Sequence, residues 1–321
     1  MSETMAGYAG GDLRLAASAA IRAPSLHNSQ PWAFRLRDGG IEVLADRSRQ
    51  LAIADSAGWA VRLACGAATF NAGLALTAAG RPAAIALRAY GEMIARLTPA
   101  TPRPPTYGEV DLASVMARRM SNRRPFWPDP VPSELRVRLI EAARTETAWL
   151  ELLVGTTALT AFGEIARSAD RVLRRNPRYQ AELAGWTYVT AAFDGVPVSA
   201  GAPLPEPQDL LPQRPYGDHR RAPGRDFEPE PLVAILGTTG DRPVDQVAAG
   251  QALQRVLLTA AAAGLATSMI SQPIEVPAAR DQLRRSLRRD GVPQIALRIG
   301  YGRPGRPTPR RPLEEVLRTP G

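Results

Sequence analysis

Ala23-Pro24-Ser25-Leu26-His27-Asn28-Ser29-Gln30-Pro31-Trp32 is the stretch on which the reading of this chain turns. Before it, Leu13, Leu15, Ala16, Ala19 and Ala20 recur at helical spacing, predicting a helix over Asp12 to Arg22 that Pro24 ends. After it, Trp32 to Arg37 and Ile41 to Ala45 read as a strand hairpin turned by Asp38-Gly39-Gly40. The stretch thus sets proline, serine, asparagine and glutamine between a helix and a first strand. Backbone amides and short polar side chains converge there on one loop, with an indole behind it. A capping turn before a core tryptophan would account for Pro24 and Trp32, but not for the whole polar set.

Further along, Asp55 to Ala79 predicts a helix with small or apolar residues on nearly every face, stopped by Gly80-Arg81-Pro82. Four prolines between Thr98 and Tyr107 mark a boundary, dividing the chain into a first half, 1–100, and a second half, 101–321. Helices are expected at Asp111 to Arg118, Pro132 to Arg144 and through Thr156 to Val189, with a strand at Trp149 to Val154. From Asp194 to Pro231 periodicity vanishes into a proline-heavy segment, a candidate lid bearing Tyr216, His219 and Phe227. The remainder alternates strand (Leu232 to Gly237), helix (Val244 to Ala263), strand (Leu265 to Ile270), helix (Pro277 to Arg288) and strand (Pro293 to Ile299). Laid without gaps, Cys65 to Gly80 on Ala249 to Gly264 pairs Gly66 with Gly250, Leu74 with Leu258 and Gly80 with Gly264, a faint internal repeat. Each half would contribute one long small-residue helix, and two such helices can pack closely.

Composition narrows the chemistry. One cysteine and two histidines exclude an internal disulfide and a multi-cysteine metal site, and leave few nitrogen and sulfur ligands for a zinc or non-haem iron centre. A net charge of +9 would suggest nucleic acid, but the chain has no lysine, and its arginine, alanine, glycine and proline share GC-rich codons. Nucleic acid is therefore not the expected partner. Schiff-base and P-loop lysine chemistry are also excluded, so any bound phosphate must meet arginine, amides or hydroxyls. No apolar run is long enough to span a membrane and no leader is visible, which makes the cytoplasm the expected compartment. Gly300-Tyr301-Gly302-Arg303-Pro304-Gly305 matches a dinucleotide fingerprint, but the prolines at 304, 307, 309 and 312 forbid the helix it must open. Ser25 beside His27 lacks the acidic partner of a hydrolase, and no G-x-S-x-G elbow exists.

The 23–32 stretch resembles the A-P-S-x-x-N-x-Q-P-W signature of the FMN-dependent nitroreductase family. Arg118-Arg119-Met120-Ser121-Asn122-Arg123-Arg124-Pro125-Phe126 is similar to that family's arginine element, R-R-x-S-x-R-x-x-F. In ordinary members the arginine element precedes the loop and the flavin lies at a dimer interface. Here the order is reversed, which resembles a single-chain subgroup of actinobacterial NAD(P)H nitroreductases. The resemblance implies an α+β, nitroreductase-like fold of two related halves, a monomer imitating a dimer around central long helices. It implies one FMN, with Pro24, Ser25, Leu26, His27 and Asn28 lining the isoalloxazine and ribityl chain. Arg119, Ser121 and Arg123, with Arg310 or Arg311, would hold the phosphate and pyrimidine side, and amides near Ser271 and Gln272 would meet the flavin edge. The flavin carries the chemistry, with NAD(P)H as transient donor and a nitroaromatic, quinone or similar small molecule as acceptor. A closed lid would instead imply a protein that sequesters FMN with little turnover.

Overall fold

The computed structural model describes residues 7–189, 192–204, 209–217 and 231–319. Its first half runs α1 (Gly10–Ala20), β1 (Trp32–Arg37), β2 (Gly40–Ala45), α2 (Trp59–Ala78), β3 (Ala83–Tyr90) and β4 (Met93–Pro99). A link over 100–106 leads to α3 (Tyr107–Val115), α4 (Ser133–Thr145), β5 (Trp149–Leu153), α5 (Thr156–Arg175), α6 (Pro177–Gly185) and the short β6 (Thr187–Tyr188) and β7 (Val196–Pro197). The chain closes with β8 (Leu232–Thr238), α7 (Pro243–Ala262), β9 (Ala266–Ile270), α8 (Gln272–Glu275), α9 (Pro277–Ser286), β10 (Val292–Gly300) and α10 (Leu313–Val316). Among the described residues no helix is long and apolar enough to cross a membrane.

One topology occurs twice. The sheets have the orders β1-β2-β4-β3 and β5-β8-β10-β9, and in each the long helix connects the second strand to the third. Where the first half turns from β1 to β2 through Asp38 and Gly39, the second inserts everything from α5 to residue 231. The apolar periodicity of α2 and α7 is nearly continuous because each is buried on both sides, by its own sheet and by the other helix. They cross at the residues paired in the sequence repeat. A Cβ on Gly66 would lie 2.1 Å from the Val247 carbonyl oxygen, and one on Gly250 would lie 2.1 Å from that of Leu63. Only glycine at both positions lets the backbones approach this far.

The strands β3 and β4 were not anticipated. Ala83-Ala84-Ile85-Ala86-Leu87 is alanine-rich, with little β preference, and its pairing with β4 supplies what propensity does not. Helix α2 starts at Trp59, four residues beyond the expected Asp55, because the Asp55 carboxylate accepts from the amides of Ala60 and Val61 at 2.9 Å and so caps the helix from outside it. Between Thr156 and Val189 the helical run breaks at Asn176-Pro177, where the Asn176 side chain caps α6. The tail, finally, returns to the first half. Leu317 bridges Phe34, the Arg318 amide donates to the Phe34 carbonyl, and Val316 is buried with the α1–β1–β2 core.

Candidate active site

The loop after α1 is built on unusual backbone. His27, Asn28 and Gln30 have φ of 52, 55 and 51°, left-handed values that cost a non-glycine residue roughly 1–2 kcal/mol each. Side chains over-determine this conformation. Ser25 Oγ accepts from the Gln30 amide at 2.9 Å. Asn28 Nδ2 donates to the carbonyls of Gly195 (2.8 Å) and Pro309 (3.0 Å). Gln30 Nε2 donates to Phe193 O at 2.9 Å, and its Oε1 accepts from the Arg311 amide at 2.9 Å. The Asn and Gln of the signature therefore fasten the loop to the segment over 193–195 and to the tail.

Beside this loop lies a narrow cavity of about 80 Å³. The first half contributes Pro24 to His27 and one face of α2, Trp59, Ala60, Leu63 and Ala64. Ser121 and Arg123 come from the arginine element, which is laid along β9 by the Asn122 amide donating to Thr267 O at 2.8 Å. Ser268 to Gln272, at the end of β9 and the start of α8, form another wall. Leu211 to Arg214 and Tyr216 close the outer side. Arg214 is held there by a buried ion pair with Glu275 at 2.6 Å and a 3.3 Å bond to Ser271 Oγ.

Two more guanidiniums sit behind the loop. Arg119 Nη2 donates to the Arg22 carbonyl at 3.1 Å, and Arg310 Nη2 reaches the same oxygen at 3.4 Å and Ala23 O at 3.3 Å. Asn28 Oδ1 orients Arg310 by accepting from Nη1 at 3.0 Å. Arg119 Nε and Nη1 and Arg310 Nε are buried without a hydrogen-bond partner among the described residues. Burial first, and then the Arg123 charge, pulls Arg119 below the usual arginine range; burial, then Arg119 and Arg22, does the same to Arg310. Paired positive charge with unmade donors is costly unless an anion completes it. This donor set fits a phosphate, whose oxygens accept several charge-assisted bonds.

Of the residues expected at the cofactor, Pro24, Ser25, Leu26, His27, Ser121, Arg123, Ser271 and Gln272 border the cavity. Arg119 and Arg310 meet behind it. Asn28 does not border the cavity, and of the alternatives Arg310 and Arg311 it is Arg310 that joins Arg119. Asn28 faces the tail, and the Arg311 guanidinium is spent on Gln30 O, Asp46 and Glu315. Arg123 donates to Ala200 O at 3.0 Å and lies over the Tyr216 ring, 4.9 Å from its centroid, apart from the Arg119–Arg310 pair. Of the lid residues, Tyr216 is at the cavity, while His219 and Phe227 lie outside the described residues. Sequence reading missed Trp59, whose Nε1 donates to Gln294 at 3.1 Å, together with Arg214 and Arg298. Only Trp59 carried a signal, as the bulky residue opening a small-residue helix.

The model of the nitroreductase family matches residues 116–301. A Mycobacterium tuberculosis protein named "Putative NAD(P)H nitroreductase Rv3131" is 30% identical, the alignment covering 96% of this chain and 91% of that protein. A second from the same organism, "Uncharacterized protein Rv3127", is 31% identical over 95% of this chain and 92% of its own length. Among solved structures, a nitroreductase with bound FMN from Desulfitobacterium hafniense is 15% identical and matches 64% of this chain and 95% of its own, at a TM-score of 0.42. With a family match over more than half of the sequence and a relative aligned along almost all of it, the chain belongs to the nitroreductase family.

Proposed function

We propose that this chain holds one FMN between its two halves, 1–100 and 101–321, and uses it to pass electrons from NAD(P)H to a nitroaromatic, quinone or similar acceptor. The observation that carries the reading is the set of unmade guanidinium N–H groups on Arg119 and Arg310, buried beside the Ala23 to Ser25 loop. They fit the FMN phosphate. Ser121 and Arg123 would then face the ring system from the second half, and Pro24 to His27 from the first. Ser271 and Gln272 stand at another wall, where their own backbone amides would meet developing negative charge. FMN, when bound, supplies the two-electron carrier, and the protein supplies position and electrostatics. Names of relatives point the same way, toward NAD(P)H and nitro compounds.

A second reading is favoured by one observation. The segment from Leu211 to Tyr216 fills the outer side of a cavity of only about 80 Å³, below the roughly 300 Å³ at which ligand pockets begin. That segment must withdraw to admit a flavin and again to admit a nicotinamide. A protein in which it closes permanently over bound FMN would sequester the cofactor. The purified protein, reconstituted with FMN, decides between them. The enzyme reading expects a yellow protein that oxidises NAD(P)H continuously with a quinone or nitroarene; a yellow protein without turnover supports sequestration, and a colourless one overturns both.

A further inference from the structure

Trp59 opens α2 at the cavity wall, and its indole is fastened to a strand on the far side of the core. Nε1 donates at 3.1 Å to Oε1 of Gln294, a fully buried residue at the point where the register of β10 slips between Pro293 and Ile295. A bulge of this kind re-aims a side chain out of its ladder position. Every hydrogen-bonding site of the Gln294 amide is used. Oε1 also accepts from Arg280 Nη2 at 3.1 Å, while Nε2 donates to Thr238 Oγ1 at 3.0 Å and Asp241 Oδ1 at 2.9 Å. Trp59 and Arg280 can only donate, which fixes the oxygen end of the amide. Asp241 takes two bonds from the Arg280 guanidinium, at 2.7 and 2.9 Å, and one from Gln246 Nε2 at 2.9 Å. A buried network satisfied this fully holds one geometry. None of these groups belongs to the segment from Leu211 to Tyr216, so its withdrawal leaves the indole held.

With its N–H spent on Gln294, the indole offers the cavity no hydrogen bond, only the carbon surface of its ring. Its neighbours on the same helix face, Ala60, Leu63 and Ala64, are small or aliphatic, and it is the one tryptophan in the wall among the described residues. We propose that Trp59 is the aromatic wall of the flavin pocket, in contact with the isoalloxazine, and that Gln294, tied to Arg280 and Asp241, positions it. The inference rests on the FMN reading and places a ring contact outside both signature stretches. Paired aromatic rings attract beyond the area they bury.

Contact and positioning are read separately. Isoalloxazine emission is quenched by electron transfer from an indole that touches it. In a Tyr216→Phe background, which takes the phenol out of the wall, bound FMN is expected to stay dark with Trp59 and to emit with Trp59→Phe; equal emission from the two overturns the contact. The chain has five tryptophans, so ¹⁵N-tryptophan labelling yields five indole signals, and the one lost in Trp59→Phe is that of Trp59. In the apoprotein its proton is expected to shift upfield in Gln294→Met, which removes the acceptor, and to return downfield in Gln294→Glu, which restores one. The emission decay of bound FMN is expected to gain a longer component in Gln294→Met and to lose it again in Gln294→Glu. An indole signal or a decay that Gln294→Met leaves unchanged overturns the positioning role. A wild type that cannot be loaded with FMN overturns the flavin reading and the ring contact with it, while the indole shift, measured without flavin, still decides whether Gln294 holds Trp59.

Discussion

Among the described residues the Arg119 side chain makes a single hydrogen bond, to the Arg22 carbonyl, and keeps Nε and Nη1 buried and unmatched. Such a residue opposes the stability of the empty protein while favouring an anionic ligand, so its removal has two effects of opposite sign. In Arg119→Met, FMN binding is expected to weaken by about 10- to 150-fold, the loss of roughly 1.5–3 kcal/mol in charge-assisted bonds. The apoprotein is expected to unfold at higher urea concentration, because a buried unsatisfied cation is replaced by a methionine that needs no partner. Urea titration of the apo form and fluorescence titration with FMN measure the two; loss of apo stability in Arg119→Met would identify a structural arginine instead. At this scale the residue types of the site were legible, but their division of labour was not. The signature polar residues read as flavin contacts, yet the carbonyls that occupy Asn28 belong to Gly195 and Pro309, far along the chain and silent in any local window. Arg310 and Arg311 are adjacent and chemically alike, and partners elsewhere separate their directions, Asn28 for Arg310 and Gln30 O with Asp46 for Arg311.

The elements repeat this division between local and distant causes. Helices α2 and α7 were legible because burial on both sides leaves a composition no surface helix has, whereas β3 and β4 were not, since alanine-rich strands depend on their pairing. The crossing of α2 and α7 is the element on which the cavity depends, because Trp59, Ala60, Leu63, Ala64 and Leu253 line its wall from these helices. The added methyl in Gly250→Ala meets the Leu63 carbonyl oxygen at 2.1 Å, a contact that backbone cannot relieve by rotation. The helices must separate, and stability is expected to fall by about 1–3 kcal/mol or more, as for other overpacked cores. Gly66→Ala is expected to cost the same, since the Val247 oxygen stands in the corresponding place. Denaturant midpoints check both, and an unchanged midpoint in either would mean that the helices do not cross at these residues.

The reciprocity of that crossing carries the expectation for how the whole molecule associates. Gly66 meets the carbonyl three residues before Gly250, and Gly250 meets the carbonyl three residues before Gly66, so two equivalent surfaces face each other as in a twofold dimer of separate chains. With the same strand order in both sheets, the geometry supports a chain that contains its own dimer. The two halves have nevertheless diverged. Only the second carries the insertion between β5 and β8 and the arginine element, and only the first carries the 23–32 loop. The tail completes the arrangement by carrying Arg310 from the second half back to the Arg22 and Ala23 carbonyls of the first. On the proposed function, a surface that two subunits would share is buried within one chain, and the donors proposed for the phosphate, Arg119 and Arg310, are gathered once. The protein is expected to sediment and scatter light as a 34.5 kDa monomer and to bind FMN at one per chain. A stable dimer, or a second flavin per chain, would show that the helix crossing leaves an associating face open or that the half lacking the arginine element still completes a site.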